Sequence, residues 1–277
     1  MTPVVFDSHC HIQDSAFDED RERVYERASA QGIGLIVPGY SMKTSQEAMT
    51  FAGSHENVYA LVGVHPHDAQ DVQEGDYQTL QQWCANPKVV GVGEIGLDYH
   101  YMNSPKEAQR EVFRRQLILA RDLGLPVSVH SREADADTLE LIGMVKGVFG
   151  VLHCFSGTEE FAKALLHKGF YISFAGPISF KSAHALRATI PVVPWDRILV
   201  ETDSPYLSPA PWRGQRNEPL RVIRNAEVVA AQKDCGRSRN IVWSGRGSRR
   251  KGSGVSGACS VHHGVSAGDL CHNVMMR

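Results

Sequence analysis

Short apolar runs alternate with longer amphipathic ones along the first 203 residues. Runs of the strand kind fall at Val4 to His9, Gly34 to Pro38, Val58 to His65, Val89 to Glu94, Pro126 to His130, Val148 to His153, Phe170 to Phe174 and Arg197 to Asp203. Their nearly continuous, β-branched hydrophobicity suits parallel strands buried on both faces. Between them lie helix candidates. Asp18 to Gln31 opens with acids and closes before Gly32, Pro105 to Leu123 starts on a proline and ends at Gly124, and Glu159 to Lys168 stops at Gly169. A strand followed by a helix, eight times over, predicts an α/β fold of the (β/α)8 TIM-barrel type.

In that architecture the carboxyl ends of all strands form one rim, so residues far apart in sequence meet at one mouth. Besides the run ending at His65, five end in a histidine or a carboxylate: Asp7-Ser8-His9-Cys10-His11, Gly93-Glu94, His130, His153 and Glu201-Thr202-Asp203. Strand alternation puts His9 and His11 on one face, with Asp7 one step deeper on that face. Two buried, hydrogen-bonded histidines would give the same local pattern, but the later strand ends supply further ligand types. Together His9, His11, Glu94, His130, His153 and Asp203 offer four imidazoles and two carboxylates. That is too many for one tetrahedral zinc and suits two divalent ions, with Glu94 as the natural bridge. Such a pair can trap a hydroxide and steady an in-line displacement at phosphorus. The mixed donors leave zinc, manganese and magnesium open.

Composition adds bounds. A chain of 277 residues with 42% hydrophobic content fits two ordinary domains or one barrel of about 250 residues, and the periodic pattern favours the barrel. With no basic segment before the first apolar run and no stretch near the ~20 apolar residues of a membrane span, a cytoplasmic protein without membrane contact is expected. Six cysteines without framework spacing fit a reducing compartment. Alternation should turn Cys10 and Cys154 away from the site. Residues 1–231 are expected to form the barrel, sealed by a helix from Glu218 to Ala231. Residues 232–277 break with that pattern: eight glycines, seven serines and eight Lys or Arg fall in this stretch, and no helical or strand period survives. A disordered tail or an out-of-frame end is expected there, with a nucleic-acid arm as the functional alternative. The barrel part then carries 21 basic against 29 acidic side chains, a net −8. Such a surface is poorly made to grip long duplex DNA and favours local capture of a strand end.

The run Phe6-Asp7-Ser8-His9-Cys10-His11 is followed in order by Gly63-Val64-His65-Pro66-His67, Gly91-Val92-Gly93-Glu94-Ile95-Gly96-Leu97-Asp98-Tyr99, Val129-His130-Ser131-Arg132, His153-Cys154-Phe155-Ser156-Gly157 and Val200-Glu201-Thr202-Asp203-Ser204-Pro205-Tyr206-Leu207. This ordered set resembles the TatD family of metal-dependent deoxyribonucleases, over roughly Val4 to Ala231. The Gly-Glu-x-Gly-Leu-Asp and Glu-Thr-Asp-x-Pro elements are far more diagnostic than a lone His-x-His. The resemblance implies an amidohydrolase-type barrel, a divalent-metal centre and hydrolysis of phosphodiester bonds in DNA, often from the 3′ end. By matching position it makes His9, His11, Glu94, His130, His153 and Asp203 the metal ligands. The tail departs from the family, whose members continue with another helical stretch.

Other residues carry two readings each. His65 at the third strand end either holds a substrate phosphate and stabilises transition-state charge, or is simply a buried histidine. Arg132 either clamps a phosphate or pairs with Glu133. Arg213 and Arg216 lie in a basic loop that resembles the family's loop bordering the site, where Asn217, Glu218 and Pro219 also read as a helix start. Glu201 shares a face with Asp203 and either orients a ligand or forms a structural salt bridge. The aromatics of Tyr99-His100-Tyr101 either stack an exposed base or pack their loop. The expected catalytic set is Asp203, Glu94 and His65. Substrates are DNA strand ends or small phosphodiesters, and no obligate protein partner is evident. Two rival functions remain: an amidohydrolase acting on a small cyclic amide or ester, which would more often present a modified lysine at the bridge, and an inactive binding barrel.

Overall fold

Each apolar run forms a strand. The computed structural model describes residues 5–234, with β1 (Val5–Asp7), β2 (Ile33–Pro38), β3 (Val58–Val62), β4 (Val89–Asp98), β5 (Val127–Arg132), β6 (Gly150–Leu152), β7 (Tyr171–Phe174) and β8 (Ile198–Val200). They lie side by side in sequence order, every neighbouring pair parallel. Helices follow the strands in turn: α1 (Arg21–Ala30), α2 (Met42–Ser54), α3 (Glu74–Trp83), α4 (Lys106–Leu123), α5 (Asp135–Met144), α6 (Glu159–His167), α7 (His184–Thr189) and α8 (Val222–Asp234). The architecture is the (β/α)8 barrel that the pattern predicts.

Alternation along the strands divides the apolar side chains into two layers. Phe6, Ile36, Leu61, Val90, Val151 and Leu199, one from each of six strands, meet in an inner cluster that fills the barrel. Their sequence neighbours Val5, Leu35, Ala60, Val89, Leu152 and Ile198 belong to the larger outer cluster beneath the helices. Burial on both faces is why the runs read as continuous rather than alternating.

Local chemistry sets the helix ends. The Ser41 hydroxyl accepts from Thr44 N at 3.2 Å and the Thr44 hydroxyl accepts from Ser41 N at 2.8 Å, so each caps the other at the start of α2. α4 closes at Gly124, whose φ of 66° is the left-handed turn that glycine takes without a Cβ penalty. Its buried stripe, Gln109, Val112, Phe113, Gln116, Leu117 and Ala120, contains two glutamines that clamp the barrel's rim. The Gln116 amide takes Val64 N at 2.8 Å and gives to Val64 O at 2.9 Å. Gln109 does the same for Asp98, at 2.8 and 3.0 Å.

Among the described residues no ladder joins β8 to β1. Single bonds make the seam: Ser8 N to Val200 O (3.2 Å), Asp203 N to His9 O (2.9 Å) and His11 N to Ser204 O (2.7 Å). The fully buried Asp7 carboxylate locks it, accepting Thr202 N at 2.8 Å and the Thr202 hydroxyl at 2.5 Å. This corrects one expectation. β1 stops at Asp7 and the chain bends at Ser8 and His9, so Asp7 does not lie beneath the histidines on a shared face but ties the two ends of the sheet.

Several strands are shorter than the pattern suggests, because the chain leaves the ladder before its polar end: β3 stops at Val62, β6 at Leu152 and β8 at Val200. β4 is longer, running past Glu94 to Asp98. The last helix begins as a short turn at Pro219–Arg221 and continues to Asp234, three residues past the expected Ala231. Lys233 reaches Pro191 O at 3.3 Å and also donates to Val193 O. The tail from residue 235 on lies outside the described residues, and no described helix is long and apolar enough to cross a membrane.

Removing the seam's lock leaves a buried N–H and a buried hydroxyl unpaired. Asp7→Ala is therefore expected to lower the unfolding free energy by about 3 kcal/mol, read from denaturant melts of the metal-free protein. A loss under about 0.5 kcal/mol, the range of an ordinary surface change, would show that the seam does not depend on Asp7.

Candidate metal centre

Glu94 sits midway along β4, and the strand continues far enough to pair Gly96 with His130 and Asp98 with Arg132 on β5. Gly96 has φ 146°, and a Cβ there would stand 1.9 Å from His130 O. Glycine alone lets the two strands approach so closely, and that approach brings His130 to Glu94.

The two oxygens of Glu94 face different partners. Oε2 lies 3.4 Å from His9 Nε2 and 3.6 Å from His11 Nε2. Oε1 lies 2.9 Å from His153 Nε2, 3.3 Å from His130 Nδ1 and 3.4 Å from His65 Nε2. Asp203 joins the first group, with Oδ1 3.4 Å from His11 Nε2 and 3.8 Å from His9 Nε2. Donor atoms of His9, His11 and Asp203 all fall within 4.8 Å of one another, as do those of His9, Glu94 and His153 and those of His65, Glu94 and His130. The structure thus brings together all six residues of the expected ligand set, and adds His65.

The donor set fits divalent cations. His9 Nε2 and His11 Nε2 are 3.2 Å apart, two lone-pair atoms that need a proton or a cation between them. The buried His153 has no hydrogen-bond partner in the structure for either ring nitrogen, although carboxylate oxygens stand nearby.

Burial disfavours charge on every one of these groups, and their mutual attraction decides the outcome. His153 and then His65 hold Glu94 well below the usual carboxylate range against burial. A hydrogen bond from His11, then the charge of His9, hold Asp203 low. In return Glu94 and Glu201 lift His153 well above the ordinary imidazole value, Asp98 and Glu94 lift His130, and Asp203 and Glu94 lift His11. For His9 and His65 burial wins, and it lowers His65 to about 4.

A second ring of residues holds these side chains. Asp98 was quoted in the sequence only as part of a motif, yet its Oδ2 lies 3.1 Å from His130 Nε2 and 3.2 Å from His67 Nε2. Its Oδ1 accepts His100 N and Tyr101 N at 3.0 and 2.9 Å. The signal was its place four residues after Glu94, hence on the same strand face, which a strand ending at Glu94 concealed. Glu201 Oε1 stands 3.4 Å from His153 Nδ1 and accepts Cys154 N at 2.7 Å, so it serves the ligand-type histidine that follows β6 rather than its neighbour Asp203. Asn217, expected as a helix cap, is buried and donates to Thr202 O at 2.9 Å.

The mouth is a cavity of about 850 Å³ lined by His11, His65, Glu94, His130, His153 and Asp203, together with Tyr40, Tyr101, Arg132 and Tyr206. Cys154 also lines it, contrary to the alternation argument, because a φ of 44° takes the chain out of the strand path there. Arg132 has no carboxylate partner among the described residues. Glu133, its expected alternative, meets His100 Nδ1 at 2.7 Å instead. Arg213 and Arg216 are not among the cavity's lining. Arg216 spends its fork on Asp20 at 2.8 and 2.7 Å, and Arg213 stacks 4.7 Å over Phe180.

A family model described as TatD related DNase matches residues 6–240. The chain belongs to this family. Relatives agree: it is 40% identical over 234 residues to an uncharacterized metal-dependent hydrolase, YabD, of Bacillus subtilis, covering 83% of this chain and 92% of the relative. It is 39% identical over 223 residues to the 3′-5′ ssDNA/RNA exonuclease TatD of Cronobacter sakazakii, covering 78% and 85%. Among solved structures, the TatD homologue YJJV of Escherichia coli superposes with a TM-score of 0.79 at 30% identity, covering 84% of this chain and 91% of that one. This TatD-family chain is a metal-dependent hydrolase.

Two outcomes follow for metal uptake. In the metal-free protein His11, His130 and His153 hold protons to higher pH than ordinary imidazoles, and a ligand must give its proton up. Metal binding near neutral pH is thus expected to release protons, and apparent affinity to rise with pH. Calorimetric titration in buffers of different ionisation enthalpy checks this, and heats independent of buffer would contradict it. Asp98→Asn removes the charge that orients His130 and should weaken metal binding about 10- to 100-fold. Unchanged affinity in the same titration would reduce Asp98 to a loop anchor.

Proposed function

We propose that this chain hydrolyses phosphodiester bonds in DNA, acting at strand ends as an exonuclease, with two divalent ions held by His9, His11, Glu94, His130, His153 and Asp203. One observation carries the reading: the single carboxylate of Glu94 turns one oxygen to His9 and His11 and the other to His130 and His153. That is how a bridging ligand serves two cations. The name of the Cronobacter relative, an exonuclease on ssDNA and RNA, supports the choice of nucleic acid. Magnesium, manganese and zinc all accept such nitrogen and oxygen donors. Bound ions of this kind lower the pKa of water and offset charge developing on a phosphate.

The chain's own groups do the rest. The Asp203 side chain is 16% exposed and opens to the cavity, where it can accept the proton of an attacking water. Its φ of 54°, in the left-handed region, aims it across the mouth from the seam, held by its N–H to His9 O. The His65 Nδ1 accepts His67 N at 3.2 Å, so the proton of this neutral ring rests on Nε2. That N–H stands 3.4 Å from Glu94 Oε1 in the cavity wall, from which it could turn to a phosphate oxygen without adding charge. Arg132, at the end of β5 and in the cavity lining, would supply a cation for the same phosphate. Arg213 and Arg216 take no part in the proposal.

The test is purified, metal-reconstituted protein assayed against single-stranded DNA, RNA and small phosphodiesters. Excess chelator and Glu94→Ala are each expected to abolish hydrolysis while circular dichroism shows the fold retained. Asp203→Asn should depress kcat by about 10²- to 10⁴-fold with little change in substrate affinity. Wild-type turnover with metal verifiably absent, or full activity in Glu94→Ala, would sink the reading.

A further inference from the structure

The mouth carries exposed aromatic surface that the hydrolytic centre does not use. Among the described residues, the exposed large apolar side chains include Tyr101 at 56% and Tyr206 at 55%, and both line this one cavity. Exposed aromatic surface gathered at a mouth marks a binding face more than chance exposure does.

The two rings stand on opposite flanks of Glu94. Tyr206 lies on the side of the first donor group, its centroid 6.4 Å from that of His11, with its hydroxyl donating to Asp14 at 3.2 Å. Tyr101 lies on the side of the second, 5.6 Å from His67. Neither is a loose loop residue. Tyr101 N is bonded to the same Asp98 carboxylate that contacts His130, so its backbone is anchored beside the centre. Arg132 stacks on it at 4.7 Å, which places the cavity's unpaired cation on an aromatic platform, the combination that receives a base and its phosphate together.

The ground beside the Tyr206 flank is acidic. A groove sharing Tyr40 with the mouth is lined by Asp14, Asp18, Glu22 and Glu47, and its two cations are already committed, Arg21 to Asp18 at 2.6 Å and Lys43 to Glu47 at 3.7 Å. The phosphates of a second strand would be repelled there.

Resting on the phosphodiesterase reading above, we infer that Tyr101 and Tyr206 are stacking walls for the two nucleobases flanking the scissile phosphate, the side chains by which the mouth would grip unpaired bases. A base held in a duplex stack offers neither face to a tyrosine.

The test compares two substrates on the metal-loaded protein: a short single strand carrying 2-aminopurine at its 3′ end, and methyl 4-nitrophenyl phosphate, a diester without bases. Stacking predicts quenching of the 2-aminopurine fluorescence on binding. It also predicts that Tyr101→Leu and Tyr206→Leu each lower kcat/KM on the strand about tenfold more than on the small diester. Tyr101→Phe, which keeps the ring, should retain both quenching and rate. Equal losses on the two substrates, or a Phe variant no better than the Leu variant, would overturn the inference while leaving the hydrolytic reading intact. Turnover of the small diester with no cleavage of any strand by the wild type would overturn the nuclease reading and this inference with it.

Discussion

A barrel must join its first strand to its last, and here that seam builds half of the centre. β1 and β8 are too short to share a ladder, so the sheet closes through isolated backbone bonds and the buried Asp7 carboxylate on Thr202. The same bonds fix His9, His11 and Asp203, because Asp203 N is tied to His9 O and His11 N to Ser204 O. Closure and chemistry therefore rest on one set of contacts. A buried, short hydrogen bond suits both tasks, since it is strong where water is absent and holds its geometry tightly.

The opposite half of the centre depends on α4. Its two buried glutamines grip the backbone of Val64 and Asp98, the residues that lead into His65 and into the loop of Tyr101. A glutamine amide carries one donor end and one acceptor end, so each satisfies both backbone groups of a single residue, Val64 beyond the end of β3 and Asp98 at the last position of β4. The long helix thus sets the height of two rim loops relative to Glu94. Glu94 itself needs no such clamp, because it stands inside a ladder that continues to Asp98. A rigid bridge flanked by two separately anchored halves is what lets one carboxylate face two donor groups at once.

The fold was legible because strands buried on both faces leave unbroken apolar runs, and the six ligand-type residues because each follows such a run. What stayed hidden had other causes. Asp7 looks as if it lies beneath His9 and His11 on their face in a strict alternation, and only the bend at Ser8 turns it to the seam. Cys154 looks inward-hidden until a left-handed φ puts it in the mouth. Asp98 was masked by Gly96, which reads as the end of a strand yet is the close approach that allows it to continue. Arg216 shows the limit of composition: a basic loop near the eighth strand suggests a phosphate clamp, but Asp20, 196 residues away in sequence, claims its guanidinium. Long-range pairings of that kind leave no local trace.

Charge explains why the mouth is built as it is. Residues 1–231 carry a net −8, and surface potentials fade over a Debye length of about 8–10 Å in physiological salt. A phosphate chain thus meets mild repulsion on approach and can be held only by groups it touches. Among the described residues those groups are few: an arginine without a carboxylate partner, a neutral imidazole donor at His65, and whatever cations the centre holds. Neutral donors and aromatic walls reward a substrate for reaching the centre without attracting phosphates along the rest of the surface. Affinity concentrated within a couple of nucleotides is suited to a strand end, where unpaired bases are free to turn into the cavity, and it gives little grip on a continuous duplex. On the proposed nuclease reading, the acidic body and the polar mouth would act together, the first withholding general attraction to nucleic acid and the second supplying it at the bond to be broken.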